Sequence, residues 1–528
     1  MTSRSGAEPA SDPSLGRLAD ALLIPPFPGR RAPGWVLDSL AGGLAGVTVF
    51  GPNIGGPGQL GELIAGLRAA AHEPVVAIDE EGGDVTRIAH LTGSPYPGNA
   101  ALGAVDDPDL TRSVYQALGS DLAALGVNLN LAPSVDVNTA ADNPVIGTRS
   151  FGSDPGLVAR HAVAAVTGLQ AAGVAACAKH FPGHGSTSAD SHHAVATVTG
   201  SLEVITARDL PPFAAAIQAG VRAVMPGHLR VPGLTGDLPA SLSAAAQTGL
   251  LRGELGFDGM IVSDALEMRA VSEPFGIPEA AVMAVAAGTD LLCFGRDQDE
   301  QTYLRVRDAL VEAVRSGRLP AFRLEESAAR VAGLRRWAAT ARVPAGAADL
   351  SGAADLSGAA DLSGADGTDI GLVAARRALR LEGAPAPTAE PVLVEIVPPS
   401  NIAVGQVPWG LGRWVAPGSV HRIGTSTDAG PADQEVAALV TAAAGRPLLV
   451  VVRDAHRYPA AREVVTVLLA ARPDATVIEM GLPVWRPPAR AYLATFGATR
   501  ASSLAAAEIL GLAPARTQEV SAHGPDRP

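Results

Sequence analysis

Two hydrophobic rhythms alternate along the first part of the chain. Short apolar runs at 21–24, 46–50, 75–78, 127–131, 174–178, 223–225, 260–262 and 291–294 are each followed by a loop containing Gly or Pro. Between them lie Ala- and Leu-rich stretches at 59–71, 109–125, 155–172, 212–219, 243–255 and 278–287. Short apolar runs suit buried strands, and the longer stretches suit helices laid against them. Eight strands alternating with helices over roughly 300 residues predict a (β/α)8 barrel of the TIM type spanning 20–340. A doubly wound sheet, with fewer strands per unit, is the alternative. Residues 302–337 read as one or two amphipathic helices closing the barrel.

The polar residues follow the same rhythm. Asp79 follows the third run, Asp136 and Arg149 lie on the loop after the fourth, and Lys179 ends the fifth. Met225 and His228 end the sixth run, and Asp264 ends the seventh. In a (β/α)8 barrel the chemistry sits on the loops that follow the strands.

Beyond the barrel the pattern changes. Ala347-Ala348-Asp349-Leu350-Ser351-Gly352 recurs as 353–358 and 359–364. With Gly and Ser at every join and almost no bulky apolar residue, 341–369 reads as a low-complexity linker. Residues 391–397, 447–452 and 475–480 are then strand-like, and 433–443, 459–471 and 502–510 helix-like. They predict a smaller α/β sandwich domain over 370–515, with a parallel sheet. It carries no phosphate-binding glycine fingerprint, and His456 and Glu479 read as a surface histidine and a loop carboxylate. Residues 1–19 are expected to be disordered or extended, and 516–528 a tail.

Composition narrows the function classes. Of 528 residues 47% are hydrophobic, which supplies cores and argues against global disorder. The formal net charge of −13 disfavours nucleic acid and anionic membrane as partners. No apolar stretch reaches the ~20 residues that span a bilayer. Residues 1–25 lack a basic region followed by an apolar run, so no signal peptide is predicted and a cytoplasmic location is the default expectation. Cys177 and Cys293, both in apolar strand-like contexts, read as buried free thiols rather than a disulfide or metal site.

Lys179 is the sole lysine among 40 basic residues. It opens a stretch to 193 that holds His180, His184, His192 and His193, four of the chain's 11 histidines. A compact ammonium can fit between two sugar hydroxyls where a planar guanidinium cannot. Asp190 lies two residues from His192 on a Gly- and Ser-rich loop, where the carboxylate can orient one ring nitrogen and leave the other for substrate. That pair is a candidate general acid/base. The same histidines could instead hold a metal, but Phe181-Pro182-Gly183 breaks the helix that a His180/His184 ligand pair needs, so no metal is expected. His184 and His193 fit a loop-bracing role better than His180 and His192 do. Asp79-Glu80-Glu81-Gly82-Gly83 places three acids at one strand end, and 143–152 places Arg149 on a loop fixed by Pro and Gly. Asp264, delivered into a loop mouth by Met260-Ile261-Val262-Ser263, is either a catalytic carboxylate or a helix cap. Together with Lys179 these groups describe a small site able to bind a monosaccharide.

These motifs resemble glycoside hydrolase family 3. The Lys179 to Gly185 stretch with Asp190-Ser191-His192, the Ile261 to Met268 segment and the Arg149 loop are similar to those of the bacterial β-N-acetylglucosaminidases of the NagZ kind. The resemblance covers about 20–340, and the later domain resembles the α/β sandwich that many members carry. It implies that Asp264 is the nucleophile of a retaining mechanism. His192, oriented by Asp190, would be the acid/base. Asp79, Arg149, Lys179 and His180 would hold sugar hydroxyls, and Met225 would lie against the sugar near its N-acetyl group. Asp84, Thr86 and Ser186 depart from the usual Arg, Gln and Asp, outside the assigned catalytic positions. The implied activity is exo-hydrolysis of terminal β-linked N-acetylglucosamine from peptidoglycan fragments, without a cofactor. Phosphorolysis of the same bond, a non-catalytic sugar-binding barrel and a metal-dependent hydrolase are the competing readings.

Overall fold

The structure, a computed structural model, describes residues 13–188, 195–198, 200–341, 369–385, 389–399, 402–425 and 433–514. It divides into two compact units. The repeated hexapeptide, the residues before 13 and the tail from 515 lie outside the described residues. A helix, Pro13–Asp20, takes in the last residues of the 1–19 stretch expected to be disordered or extended.

The first unit contains β1 (Leu23–Ile24), β2 (Gly46–Val49), β3 (Val75–Ile78), β4 (Leu129–Asn130) and β5 (Ala175–Phe181), then β6 (Ala196–Thr197), β7 (Ala223–Pro226), β8 (Leu229–Arg230), β9 (Met260–Ile261) and β10 (Leu292–Cys293). Parallel pairing runs β2-β3-β4-β5-β7-β9. The ring continues through a bridge between Val262 and Leu291, and β10 pairs in parallel with β1. Thr48 completes it, its Oγ1 donating to Ile24 O at 3.0 Å and its N to Pro25 O at 3.3 Å. Eight strands therefore close into a barrel, and the doubly wound alternative falls. β6 and β8 form a separate two-stranded sheet.

Strand periodicity decides which side chains fill the ring. Val75 and Ala77, Ala175 and Cys177, Ala223 and Met225, Met260 and Val262 all belong to one buried cluster, with Cys293. Because alternate residues of a strand face the same way, this inward series continues to Asp79, Lys179 and Asp264 at the carboxyl ends of the strands. Both cysteines are buried free thiols within this cluster.

Helices Pro108–Leu125 and Pro155–Ala171 begin alike, with Asp107 and Asp154 accepting from Leu110 N at 3.1 Å and Leu157 N at 2.6 Å. In each an N-cap carboxylate precedes a proline, whose missing N–H costs nothing at that position. Gly168 lets the two helices meet, since a Cβ there would lie 2.4 Å from Arg112 O. Helices Glu300–Arg315 and Ala321–Ala341 follow the last strand, and the second is tied down by Arg323 and Arg330 on the buried Asp290, at 2.9 and 3.5 Å.

The second unit comprises Gly82–Asp84, Leu91–Val105 and the chain after the linker. Its strands are β11 (Arg380–Gly383), β12 (Val392–Val397), β13 (Val420–Gly424), β14 (Leu448–Val452), β15 (Thr476–Glu479) and β16 (Ala491–Ala494), in the order β11-β16-β15-β14-β12-β13. All pairs are parallel except β11 with β16. Val392, Val394, Val450 and Val452 pack on one face with Val464 and Leu468. Leu393, Leu449 and Val451 pack on the other with Ala506 and Leu510. A sheet covered on both faces is an α/β sandwich. Glu479 is fully buried rather than a loop carboxylate, and it accepts from Asp454 N, Gly481 N and Ala455 N at 2.7, 2.7 and 3.2 Å. In the same unit Asp84 is buried, its Oδ1 accepting from Ala498 N at 2.8 Å and its Oδ2 lying 3.1 Å from Arg453 Nη2.

Candidate active site

The site is assembled at the strand ends of the first unit. Lys179 ends the inward series of β5, and its Nζ lies 2.7 Å from Asp79 Oδ1 and 2.8 Å from Glu81 Oε1. Arg149, on the loop after β4, grips Glu81 with two nitrogens, Nε to Oε2 at 2.9 Å and Nη2 to Oε1 at 2.7 Å. Its loop is fixed by Asn143, whose Oδ1 accepts from Val145 N and Ile146 N at 3.0 and 2.8 Å and whose Nδ2 donates to His184 O at 2.9 Å.

A second carboxylate organises the histidines. Asp136 is fully buried and accepts from Ser134 Oγ at 2.9 Å, His180 N at 3.2 Å and His184 N at 2.7 Å. His180 Nδ1 lies 2.8 Å from its Oδ2, and His180 Nε2 lies 3.3 Å from Arg149 Nη2. His184 turns its Nδ1 to Thr187 Oγ1 at 2.7 Å. Asp79, Glu81, Lys179, Arg149, His180 and Asp136 thus form one continuous network of ion pairs and hydrogen bonds.

Burial and pairing set the protonation states. Burial would raise the Glu81 carboxyl, but Arg149 and Lys179 hold it well below the usual range. Asp136 is likewise held low, with His180 and His184 outweighing its burial. Lys179 is pushed down by burial and lifted, on balance, above its ordinary value by Asp79 and Glu81. His184 is driven, chiefly by burial, down to about 4, so it is neutral at physiological pH. Glu80, facing the other way, is raised by burial to about 7 while accepting from Arg87 N at 2.7 Å and Ile88 N at 3.0 Å.

Asp264 is half-buried, and its Oδ1 accepts from Ala265 N at 2.8 Å. It shares the barrel mouth with Asp79 and Lys179, and the charges of all three act on Cys177 beneath them. Met225 is buried beside Lys179 in the β5–β7 register. His228 is spent on structure, its Nδ1 at 2.6 Å from Ser241 Oγ and its Nε2 at 2.9 Å from Ala265 O. Ser186 accepts from Arg208 Nη2 at 2.8 Å, and the buried Thr86 accepts from Ala89 N at 3.1 Å. Asp190 and His192 lie outside the described residues. Among the described residues no three His, Cys, Asp or Glu side chains converge as a metal site.

Sequence reasoning named Asp79, Arg149, Lys179 and His180, and the structure brings these four together. It placed Asp136 on the loop after the fourth strand and Glu81 in the run of three acids but gave neither a role, and these are the two carboxylates that join them. The Asp79–Glu81 spacing held the one available signal, because residues two apart on extended backbone face the same side.

The family profile described as glycosyl hydrolase family 3 N terminal domain matches residues 31–334. The chain belongs to this family. It is 37% identical over 346 residues to the β-hexosaminidase LpqI of Mycobacterium tuberculosis, covering 63% of this chain and 86% of that protein. It is 34% identical over 317 residues to the β-hexosaminidase A of Pseudoalteromonas piscicida, covering 55% and 53%. Among solved structures, a family 3 β-N-acetylglucosaminidase from Paenibacillus superposes with a TM-score of 0.82 at 34% identity, covering 94% of this chain and 96% of that one.

Proposed function

We propose that this family 3 member is an exo-acting, retaining β-N-acetylhexosaminidase that releases terminal β-linked N-acetylglucosamine. The observation that carries the reading is the meeting of Asp79, Lys179 and Asp264 at one barrel mouth, with Arg149 and His180 joined to them by Glu81. That arrangement presents anchored charged groups to sugar hydroxyls beside a half-buried carboxylate. The relatives named β-hexosaminidase and β-N-acetylglucosaminidase support the same sugar class.

In the proposed chemistry an Asp264 oxygen attacks the anomeric carbon as its bond to the leaving oxygen breaks, giving a covalent glycosyl-enzyme. The His192 imidazolium, oriented by Asp190, gives its proton to the departing oxygen. The neutral imidazole then takes a proton from water, whose oxygen attacks the anomeric carbon and releases the Asp264 carboxylate. Asp79, Arg149, Lys179 and His180 hold the sugar hydroxyls, and Met225 supports the ring near the N-acetyl group. We infer peptidoglycan fragments met in the cytoplasm as the natural substrate, a reading supported by the resemblance to the NagZ kind.

The test is cleavage of a β-aryl N-acetylglucosaminide with chelator present. Asp264→Ala is expected to abolish turnover, and an unchanged rate would sink the assignment. His192→Ala should slow substrates with poor leaving groups far more than activated aryl ones, because only the former need protonation. Added phosphate should leave the rate unchanged, and a sugar 1-phosphate product would replace hydrolysis with phosphorolysis.

A further inference from the structure

We infer that Glu81 is the positioning residue of this site: it holds Lys179 and Arg149 in place and acts on substrate only through them. The inference rests on the reading of those two cations as sugar ligands.

The geometry gives Glu81 no other task. Its side chain is 3% exposed, and both oxygens are occupied by cationic N–H donors. One of them, Oε1, is shared between Arg149 Nη2 and Lys179 Nζ. A carboxylate saturated in this way and held deprotonated by Arg149 and Lys179 cannot serve as a general acid. The three neighbouring acids therefore divide the work. Asp79 meets Lys179, Glu80 turns away to pin the backbone at Arg87 and Ile88, and Glu81 joins the cations.

Electrostatics explains why the joint is needed. Arg149 and Lys179 are both buried and both reach the same oxygen, so without a negative charge between them each would destabilise the other. Lys179 is opposed by burial and by Arg149 and supported by Asp79 and Glu81. Farther along, His180 touches Arg149 and is backed by Asp136, and Cys177 lies below Lys179 with Asp264 acting on the same thiol. Removing the Glu81 charge leaves Lys179 one carboxylate, Asp79, against Arg149 and desolvation. An ammonium so placed gives up its proton at lower pH.

The sole lysine makes this directly measurable. In protein prepared from lysine carrying 13C at the ε carbon, with no lysine outside the native sequence, the single labelled resonance is Lys179. Titrated by NMR, Glu81→Gln is expected to lower the Lys179 pKa by at least about one unit relative to the unsubstituted protein. The alkaline limb of kcat/KM on a β-aryl N-acetylglucosaminide should move down by the same amount, with activity recovering toward lower pH. Glu81→Asp, which keeps the charge, should keep Lys179 within about half a unit while raising KM through the displaced cations. An unmoved Lys179 titration in Glu81→Gln overturns the inference. Should that variant fail to fold, unchanged Michaelis constants in Glu81→Asp overturn it instead. A protein that cleaves no N-acetylglucosaminide refutes the proposed function, while the NMR titration still decides the role of Glu81.

Discussion

His180 Nδ1 faces Asp136 Oδ2 at 2.8 Å, with both side chains buried. The other ring nitrogen lies 3.3 Å from Arg149 Nη2, a group that can only donate. The network therefore assigns a neutral ring that gives Nδ1–H to Asp136 and accepts from Arg149 at Nε2. Asp136→Asn offers the ring a donor, favours the opposite tautomer and sets an N–H against Arg149. Losing one charge-assisted hydrogen bond costs about 1.5 to 3 kcal/mol. The expected fall in kcat/KM is roughly tenfold to a hundredfold. Michaelis kinetics on a β-aryl N-acetylglucosaminide measures it, and full activity would contradict the assigned tautomer.

His184 makes acid stability a readout of the same loop. Its folded pKa is about 4 against an ordinary value of 6.5, chiefly because burial penalises the imidazolium. A base with a depressed folded pKa contributes stability that is present above the unfolded pKa and is lost as pH falls toward the folded one. The contribution from His184 should thus disappear between about pH 6.5 and pH 4, amounting to roughly 3 kcal/mol. Asp136 and Glu81, both held low, lose theirs only below the ordinary carboxylate range. Denaturation midpoints measured across this range combine that loss with an opposite gain from Glu80, whose carboxyl, raised to about 7, favours the folded state as pH falls. His184→Asn should therefore be less destabilised by acid than the native protein, and an identical pH dependence in the two would exclude a contribution from His184.

The barrel was legible in the sequence because its strands are buried on both sides and read as plain apolar runs. Asp79, Lys179 and Asp264 were legible because each stands two residues beyond a core position such as Ala77, Cys177 or Val262. Glu81 and Asp136 act through partners 68 and 44 residues away, a relation that no local pattern encodes. In the second unit, β11 escaped because Arg380–Gly383 is exposed throughout. β13, Val420–Gly424, lies at the other edge of the sheet and mixes polar with apolar residues. β16, Ala491–Ala494, is apolar and buried throughout but only four residues long.

Lys179 should resist the substitution that the rest of the chain adopted. Its compact ammonium fits between Asp79 and Glu81 at 2.7 and 2.8 Å while buried against Cys177 and Met225. A guanidinium keeps the charge but is larger and planar, with directional donors. Overpacking such a site costs about 1 to 3 kcal/mol. Lys179→Arg is expected to lower both the melting temperature and kcat/KM, the latter by about a hundredfold. Wild-type kinetics in this variant would show that charge alone is needed there.

The thiols should be inert in the folded protein. Cys177 and Cys293 are buried in the barrel interior, and burial pushes both well above the ordinary thiol range. The thiolate is the reactive form, so an alkylating agent at neutral pH should label neither in the native state. Both should react after denaturation, as mass spectrometry would report. Rapid labelling of native protein would show that the strand core opens.

Asp84 stands where the family usually has Arg, and its surroundings in the second unit explain the exchange. Its carboxylate is 2% exposed and held at both oxygens, by Ala498 N at 2.8 Å and Arg453 Nη2 at 3.1 Å. Arg453 also lies over the Trp409 ring, 5.9 Å from its centroid. Restoring the family residue with Asp84→Arg would set two guanidinium groups against each other and leave Ala498 N without its acceptor. Breaking a buried pair by removing one partner costs about 3 to 5 kcal/mol. Arg453→Ala alone should cost a similar amount, because it strands the Asp84 charge. If the two groups stabilise mainly each other, Asp84→Asn with Arg453→Ala should be less destabilised than the two single changes together. Denaturant unfolding of the four proteins completes the cycle, and strictly additive losses would show that Asp84 and Arg453 act independently.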